Sequence, residues 1–182
     1  MGSARGKVDW PVEGARVAAP RGRASLAALA ALATAAAADG WTRYADPRFG
    51  AAADVPPGFA AAEPPAGGGG LEFAGADGRA RLAVYGLPNA EGQRLAEYSA
   101  FSLEEEARAG WTVTYDRTGD GWFVHSGRKE GRIFYEKTIL ACGSRVVNSV
   151  WLEYPSDLKA RFDPIVGRVS ASLRHERADE CG

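Results

Sequence analysis

The chain has 182 residues, 46% of them apolar, and a net charge of −1, enough for one domain with a true core. That charge is uneven: residues 1–38 carry +3, from Arg5, Lys7, Arg16, Arg21 and Arg23 against Asp9 and Glu13, which leaves −4 on the remaining 144. An acidic body excludes general nucleic-acid binding, which needs clustered cations to displace counterions. In chain order, the first feature is a basic stretch ending at Arg23, followed by the uncharged run "ASLAALAALATAAAA" and then Ala36-Ala37-Ala38 before Asp39. The 15-residue run is too short for a bilayer span, which needs about 20 apolar residues. The order fits an export signal over 1–38 with cleavage at Ala38/Asp39, a single domain over 39–182, and a periplasmic or secreted protein with no transmembrane segment in its mature part.

After the leader, "WTRYADPRFGAAADV" predicts two short strands around a turn at Asp46-Pro47. A Pro/Gly-rich connection follows, holding a short strand at Phe59–Ala62. "LEFAGADGRARLAVYG" predicts a hairpin about Ala-Asp-Gly. Between Glu91 and Ala109 the period becomes helical, with Asn89 as cap and Gly110 as stop. "WTVTY", "WFVHS", "RIFYEKTILAC" and "RVVNSVWLEY" then form a four-stranded antiparallel meander. Beyond Pro155, Phe162, Ile165, Val169 and Leu173 mark a second helical stripe. Asp163-Pro164 reads as its N-cap and first position, which puts Leu158 and Phe162 on a preceding turn.

Strand alternation sorts the meander into two faces. Centring each turn in its polar loop sets Tyr115 opposite Trp122, Ser126 opposite Ile133 and Cys142 opposite Arg145. Trp111, Val113, Tyr115, Trp122, Val124, Ile133, Tyr135, Ile139, Val146, Val150, Leu152 and Tyr154 then share a core face. The opposite face is mixed and includes Phe123, His125, Phe134, Glu136, Trp151 and Glu153. In this register His125 lies between Thr112 and Phe134, with Glu153 one strand further, about 10 Å away at ~4.8 Å per strand. Glu136 lies between Phe123 and Trp151. These six residues form the candidate ligand or partner surface, unless a helix covers them and satisfies their polar groups.

"GWFVHSGRKEGRIFYEKTILACGSRVVNSVWLEYP" followed by "RFDPIVGRVSASL" resembles a group of bacterial exported proteins, with Gly143-Ser144 where that group has Gly-Gly. The order of strands, helix, meander and C-terminal helix resembles the PsbP-like fold shared with the Ran-binding Mog proteins. That resemblance implies an α+β protein, an α/β/α sandwich with helices packed on an antiparallel sheet. It also implies accessory or protein-binding roles. It supplies no catalytic residues.

Local motifs add no chemistry of their own. His125 and His175 lie 50 positions apart, His175 in a polar tail, so spacing predicts no metal site and no cofactor. "DRTGDG" (116–121) imitates the start of a calcium loop but has Gly127 at the twelfth position and lies between strands. "GGGG" (67–70) lacks the Lys-Ser/Thr of a phosphate loop. "EEE" (104–106) reads as a solvated helix face, and no serine sits in a G-x-S-x-G elbow. Cys142 and Cys181 could pair in an oxidising compartment, or stay a strand cysteine and a separate tail thiol. Two functions stay open at this level. One is a non-enzymatic binding or accessory module with a protein or small-molecule partner in the cell envelope. The other is a periplasmic small-molecule-binding protein or hydrolase that uses the face around His125.

Overall fold

The computed structural model describes residues 40–65, 69–177 and 181; the expected leader and its cleavage point lie outside the described residues. Two layers of sheet and two helices are built from these residues. The strands β1 (Thr42–Ala45) and β2 (Ala51–Val55) form a hairpin, and β3 (Phe59–Ala61) opens the main sheet. Strands β4 (Gly70–Gly75) and β5 (Arg81–Pro88) follow, then α1 (Leu95–Arg108). The meander is β6 (Thr112–Gly119), β7 (Trp122–Lys129), β8 (Arg132–Ala141) and β9 (Val146–Pro155). A 3-10 turn (Ser156–Leu158), α2 (Lys159–Ser172) and β10 (Arg174–His175) complete the chain. The main sheet is antiparallel, in the order β3-β4-β5-β9-β8-β7-β6, and β1-β2-β10 is a small second sheet.

One face of the main sheet is apolar. Phe73, Leu82, Val84, Ile133, Val150, Leu152 and Tyr154 pack there against β2 and against Phe162, Val169 and Leu173 of the α2 segment. Phe162 stacks on Tyr154 with ring centroids 4.5 Å apart. That contact explains why α2 begins at Lys159 rather than at Pro164. Burying Phe162 draws one more turn into the helix, the Lys159–Asp163 ion pair (2.8 Å) spans that turn, and Pro164 costs only one hydrogen bond near the N-terminus. His175 also departs from expectation. The polar tail that holds it forms β10, where His175 pairs with Ala51. Cys142 and Cys181 are joined by a disulfide, Cα to Cα 4.5 Å, and His175 Nε2 lies 3.3 Å from the Cys142 sulfur.

The other face lies under α1. Helix α1 starts at Leu95, later than its sequence suggests. Asn89 orders the turn before it instead, accepting the Gln93 N–H (3.0 Å) and donating to the carbonyls of Gln93 and Ser144. Arg94 takes the cap position, where the Glu97 carboxylate accepts its backbone N–H at 2.8 Å. Gly110, at φ +84°, turns the chain out of the helix.

The meander's register differs from the centred-loop reading, and the turns explain why. The β6–β7 turn is Asp120-Gly121 and the β7–β8 turn is Glu130-Gly131, with φ of +47° and +74° at the second pair. Two-residue hairpins need positive φ, so each turn settles on its glycine rather than on the middle of its charged loop. Each slip moves partners by an even number, so β7, β8 and β9 keep their faces while every neighbour across β6–β7 and β7–β8 changes. The β8–β9 register is the expected one, with Ala141 opposite Val146. A bulge between Val113 and Tyr115 then reverses the start of β6. Val113 pairs with Gly127, and Trp111 packs on Phe134 and Trp151, so both lie on the α1 side and not in the α2-side core. Gly127 permits the approach: a Cβ there would meet the Thr112 carbonyl oxygen at 2.4 Å and the Phe134 ring at 2.7 Å.

Candidate functional site

Side chains across the α1 face fall into rows set by the register. One row runs Tyr85, Ser149, Thr138, Phe123 and Thr118. The next runs Ala83, Trp151, Glu136, His125 and Asp116, so His125 lies between Asp116 and Glu136 and not between Thr112 and Phe134. A third row holds Arg81, Glu153, Phe134 and Gly127. Helix α1 covers this face with Ser99, Ser102 and Glu106, positions i, i+3 and i+7 on one stripe.

A polar cluster forms where helix and sheet meet, and it is sealed from solvent. Glu106 and His125 are fully buried, and Glu136 is 2% exposed. His125 Nδ1 is 3.2 Å from Glu106 Oε1, and Nε2 is 3.0 Å from Ser99 Oγ. With Glu106 ionised, Nδ1–H donates to the carboxylate and Nε2 accepts from the Ser99 hydroxyl. Ser102 donates to Glu136 Oε2 at 2.8 Å, and Tyr85 donates to Glu136 Oε1 at 3.1 Å. Thr138 reaches the same oxygen at 3.4 Å and shares a 2.7 Å hydrogen bond with Ser149. Phe123 stacks on the imidazole, centroids 4.5 Å apart. Half-exposed Asp116 sits at the rim, its Oδ1 3.5 Å from His125 Nε2.

The electrostatics of the cluster follow from its burial. Glu106 is pushed up to about 7, chiefly by desolvation; His125 opposes the shift, and the adjacent Glu136 carboxylate adds to it. Desolvation, then the Glu136 charge, raises the phenols of Tyr85 and Tyr98 above their ordinary value. Glu106 Oε2 receives no hydrogen bond, although Glu136 stands close enough to act on Glu106. Such a gap in a buried carboxylate is costly and uncommon.

The six surface candidates therefore separate. Phe123, His125 and Glu136 lie under α1. Phe134, Trp151 and Glu153 belong to the part of the face where Trp111 closes over the sheet, with Phe134 and Trp151 stacked at 4.4 Å. Glu153 lies two strands from His125 and is held instead by Arg81 (2.7 Å) and by Arg132. Glu106 was hidden by its neighbours. Glu104 is 70% exposed in its side chain and fits a solvated run, while Glu106 is buried completely. The stripe it shares with Ser99 and Ser102 was the available signal. A pocket of about 280 Å3, lined by Phe59, Ala80, Leu158 and Phe162 among others, opens on the α2 side, away from this cluster.

No protein-family model matches the chain, and no curated protein matches it by sequence. Among solved structures it is similar to cyanobacterial PsbP (CyanoP) from Synechocystis sp. PCC 6803. The TM-score is 0.59 at 14% identity, covering 78% of this chain and 96% of that one. It is also similar to the Ran-binding protein Mog1p of Saccharomyces cerevisiae, with a TM-score of 0.55 at 10% identity over 74% of this chain and 95% of that one. A further Mog1 structure gives 0.53 at 10% identity over 73% and 94%. At such identities the likeness is one of fold, and the chain has the PsbP-like fold: an α+β antiparallel sheet with helices packed on it.

Proposed function

We propose that the protein is an exported, non-enzymatic binding or accessory module of the cell envelope. The observation that carries this reading is the burial of His125 beneath α1, which closes over the reactive groups of the mixed face. A fold shared with a Ran-binding protein supports a protein partner. Export is supported by the order of basic stretch, uncharged run and small residues before Asp39, and by a disulfide that suits an oxidising compartment. No helix among the described residues is long and apolar enough to cross a membrane.

The partner surface in this reading is the β6 side of the sheet. There β6 is an edge strand, Tyr115 is 48% exposed, and Lys129 lies over Trp111. A photocrosslinking residue at Tyr115 should give one discrete adduct in the envelope fraction, and one at Arg161 on α2 should not. Mass spectrometry of the mature chain should find Asp39 first. Equal, diffuse labelling from both positions, or retention of residues 24–38 in a cytosolic protein, contradicts the reading.

One observation favours a second reading, a hydrolase. Ser99, His125 and Glu106 stand in the order of a nucleophile, base and orienting acid. Against it, Ser99 is only 6% exposed and lies inside α1, where backbone N–H groups are engaged in the helix and cannot stabilise an oxyanion. Covalent labelling of Ser99 by a fluorophosphonate, lost in His125→Ala, would establish this reading over the first.

A further inference from the structure

Four buried carboxylates occur among the described residues, and three of them touch a donor or a cation that accounts for their burial. Asp46 accepts the backbone N–H groups of Arg48 (3.1 Å) and Phe49 (3.0 Å). Glu153 is held by Arg81 and Arg132. Glu136 takes hydroxyl donors from Ser102 and Tyr85. Glu106 is served on one side only: fully buried and in contact with a second carboxylate, it meets His125 Nδ1 (3.2 Å) and the Ser102 hydroxyl (3.4 Å) at Oε1, while Oε2 has no donor. Two carboxylates that meet in an apolar interior either share a proton or hold a cation between them.

We infer that Glu106, His125 and Glu136 are the ligands of one divalent first-row transition-metal ion, bound between α1 and the β7–β8 hairpin. Three observations carry the inference. Ligand atoms from all three residues lie within 4.8 Å of one another, each from a buried side chain. The Glu106 oxygen without a donor is the one a cation would satisfy. The surrounding hydroxyls are placed to hold ligands: Ser99 sits on the far imidazole nitrogen at 3.0 Å, and Ser102 and Tyr85 hold Glu136. One imidazole and two carboxylates suit zinc, manganese or iron, and leave a coordination position open. Two carboxylate charges cancel a divalent ion, so the filled site is neutral. Bonds of about 2.1 Å hold tetrahedral ligand atoms roughly 3.4 Å apart, so binding draws in the wider pairs while the 3.2 Å His125–Glu106 pair stays in place.

A sequence search for ligand spacing misses this site because its residues come from three elements. The other His/Cys group, Cys142, His175 and Cys181, does not compete, because its sulfurs are spent in the disulfide.

The test uses the full chain, oxidised, stripped with a chelator and then titrated with Co2+ and with Zn2+. One equivalent of Co2+ should produce visible d–d absorption that Zn2+ displaces. Glu106→Gln and His125→Asn should each weaken binding more than about tenfold, while Glu104→Gln on the same helix leaves it unchanged. If either variant fails to fold, the wild-type chain decides by NMR: Zn2+ should shift the ring nitrogens of His125 and leave those of His175 in place. No stoichiometric binding, or binding that shifts His175 and not His125, overturns the assignment.

Discussion

The two faces of the main sheet are made by the same strands and do opposite things with them. On the α2 side, Leu82, Val84, Val150 and Leu152 are fully buried and meet Phe162 and Val169. On the α1 side, one residue away along the strands, the buried layer is mixed: Phe123 and Phe134 lie beside His125, Glu136, Thr138 and Ser149, and α1 adds Ser102 and Glu106. The first interface is what the hydrophobic effect builds, at about 25 cal/mol for each Å2 of apolar surface removed from water. The second works against it, since each buried polar group must recover in hydrogen bonds what it loses in hydration. An acid–histidine–acid cluster buried under a helix costs stability, and such clusters concentrate at functional sites. The α2 face is apolar throughout, and the α1 face sets ionisable groups among its aromatic rings.

Substitutions can break this division, and the α2 side should respond most. Leu152→Ala removes a fully buried side chain from the apolar layer and should cost about 2–5 kcal/mol in urea denaturation. A comparable loss from Thr138→Val, on the α1 side, would erase the distinction. Opening the disulfide with Cys142→Ser and Cys181→Ser together should cost about 2–4 kcal/mol and release β10 from β2, read as faster amide exchange near His175. Trp111→Ala should cost about 1–2 kcal/mol, because the indole is only half-buried against Phe134 and Trp151, and should leave metal titrations unchanged. The smallest effect belongs to Glu104→Gln, within about 0.5 kcal/mol, although it lies two residues from Glu106.

Alternation alone made much of the fold legible. It put Phe123, His125, Phe134, Glu136, Trp151 and Glu153 on one face, and the register confirms that they share it. It could not choose neighbours, because a hairpin's register depends on which residues accept positive φ. The glycines of Asp120-Gly121 and Glu130-Gly131, rather than the centres of the charged loops, made that choice. The two slips together replaced Thr112 and Phe134 beside His125 with Asp116 and Glu136, which turns a mixed face into a cluster. The bulge at Val113/Tyr115 has no signal in β-propensity, so Trp111 changed sides unannounced. Glu106 was lost in a run of three acids, where local composition says solvent and only the helical period says core. The start of α2 was misplaced for a similar reason: Pro164 is a strong local signal, and the burial of Phe162 outweighs it.

The central claim is that the α1 face retains ionisable groups against its own stability, and pH tests it. Glu106 is raised from 4.5 to about 7, so between those values the folded chain holds a proton that the unfolded chain has released. The Glu106 contribution to stability is therefore fully present below the ordinary carboxylate value, falls as pH rises, and levels off above about 7. The groups facing Glu106 in this range are His125 and Glu136, with Asp116 at the rim and Tyr85 and Tyr98 staying neutral. The measurement is guanidinium denaturation of the chelator-treated chain at pH 5 and pH 8, beside Glu106→Gln. The wild-type chain should weaken from pH 5 to pH 8 relative to the variant, which should be the more stable of the two at pH 8. Parallel profiles for the two proteins, or a variant that is weaker at pH 8, would contradict it.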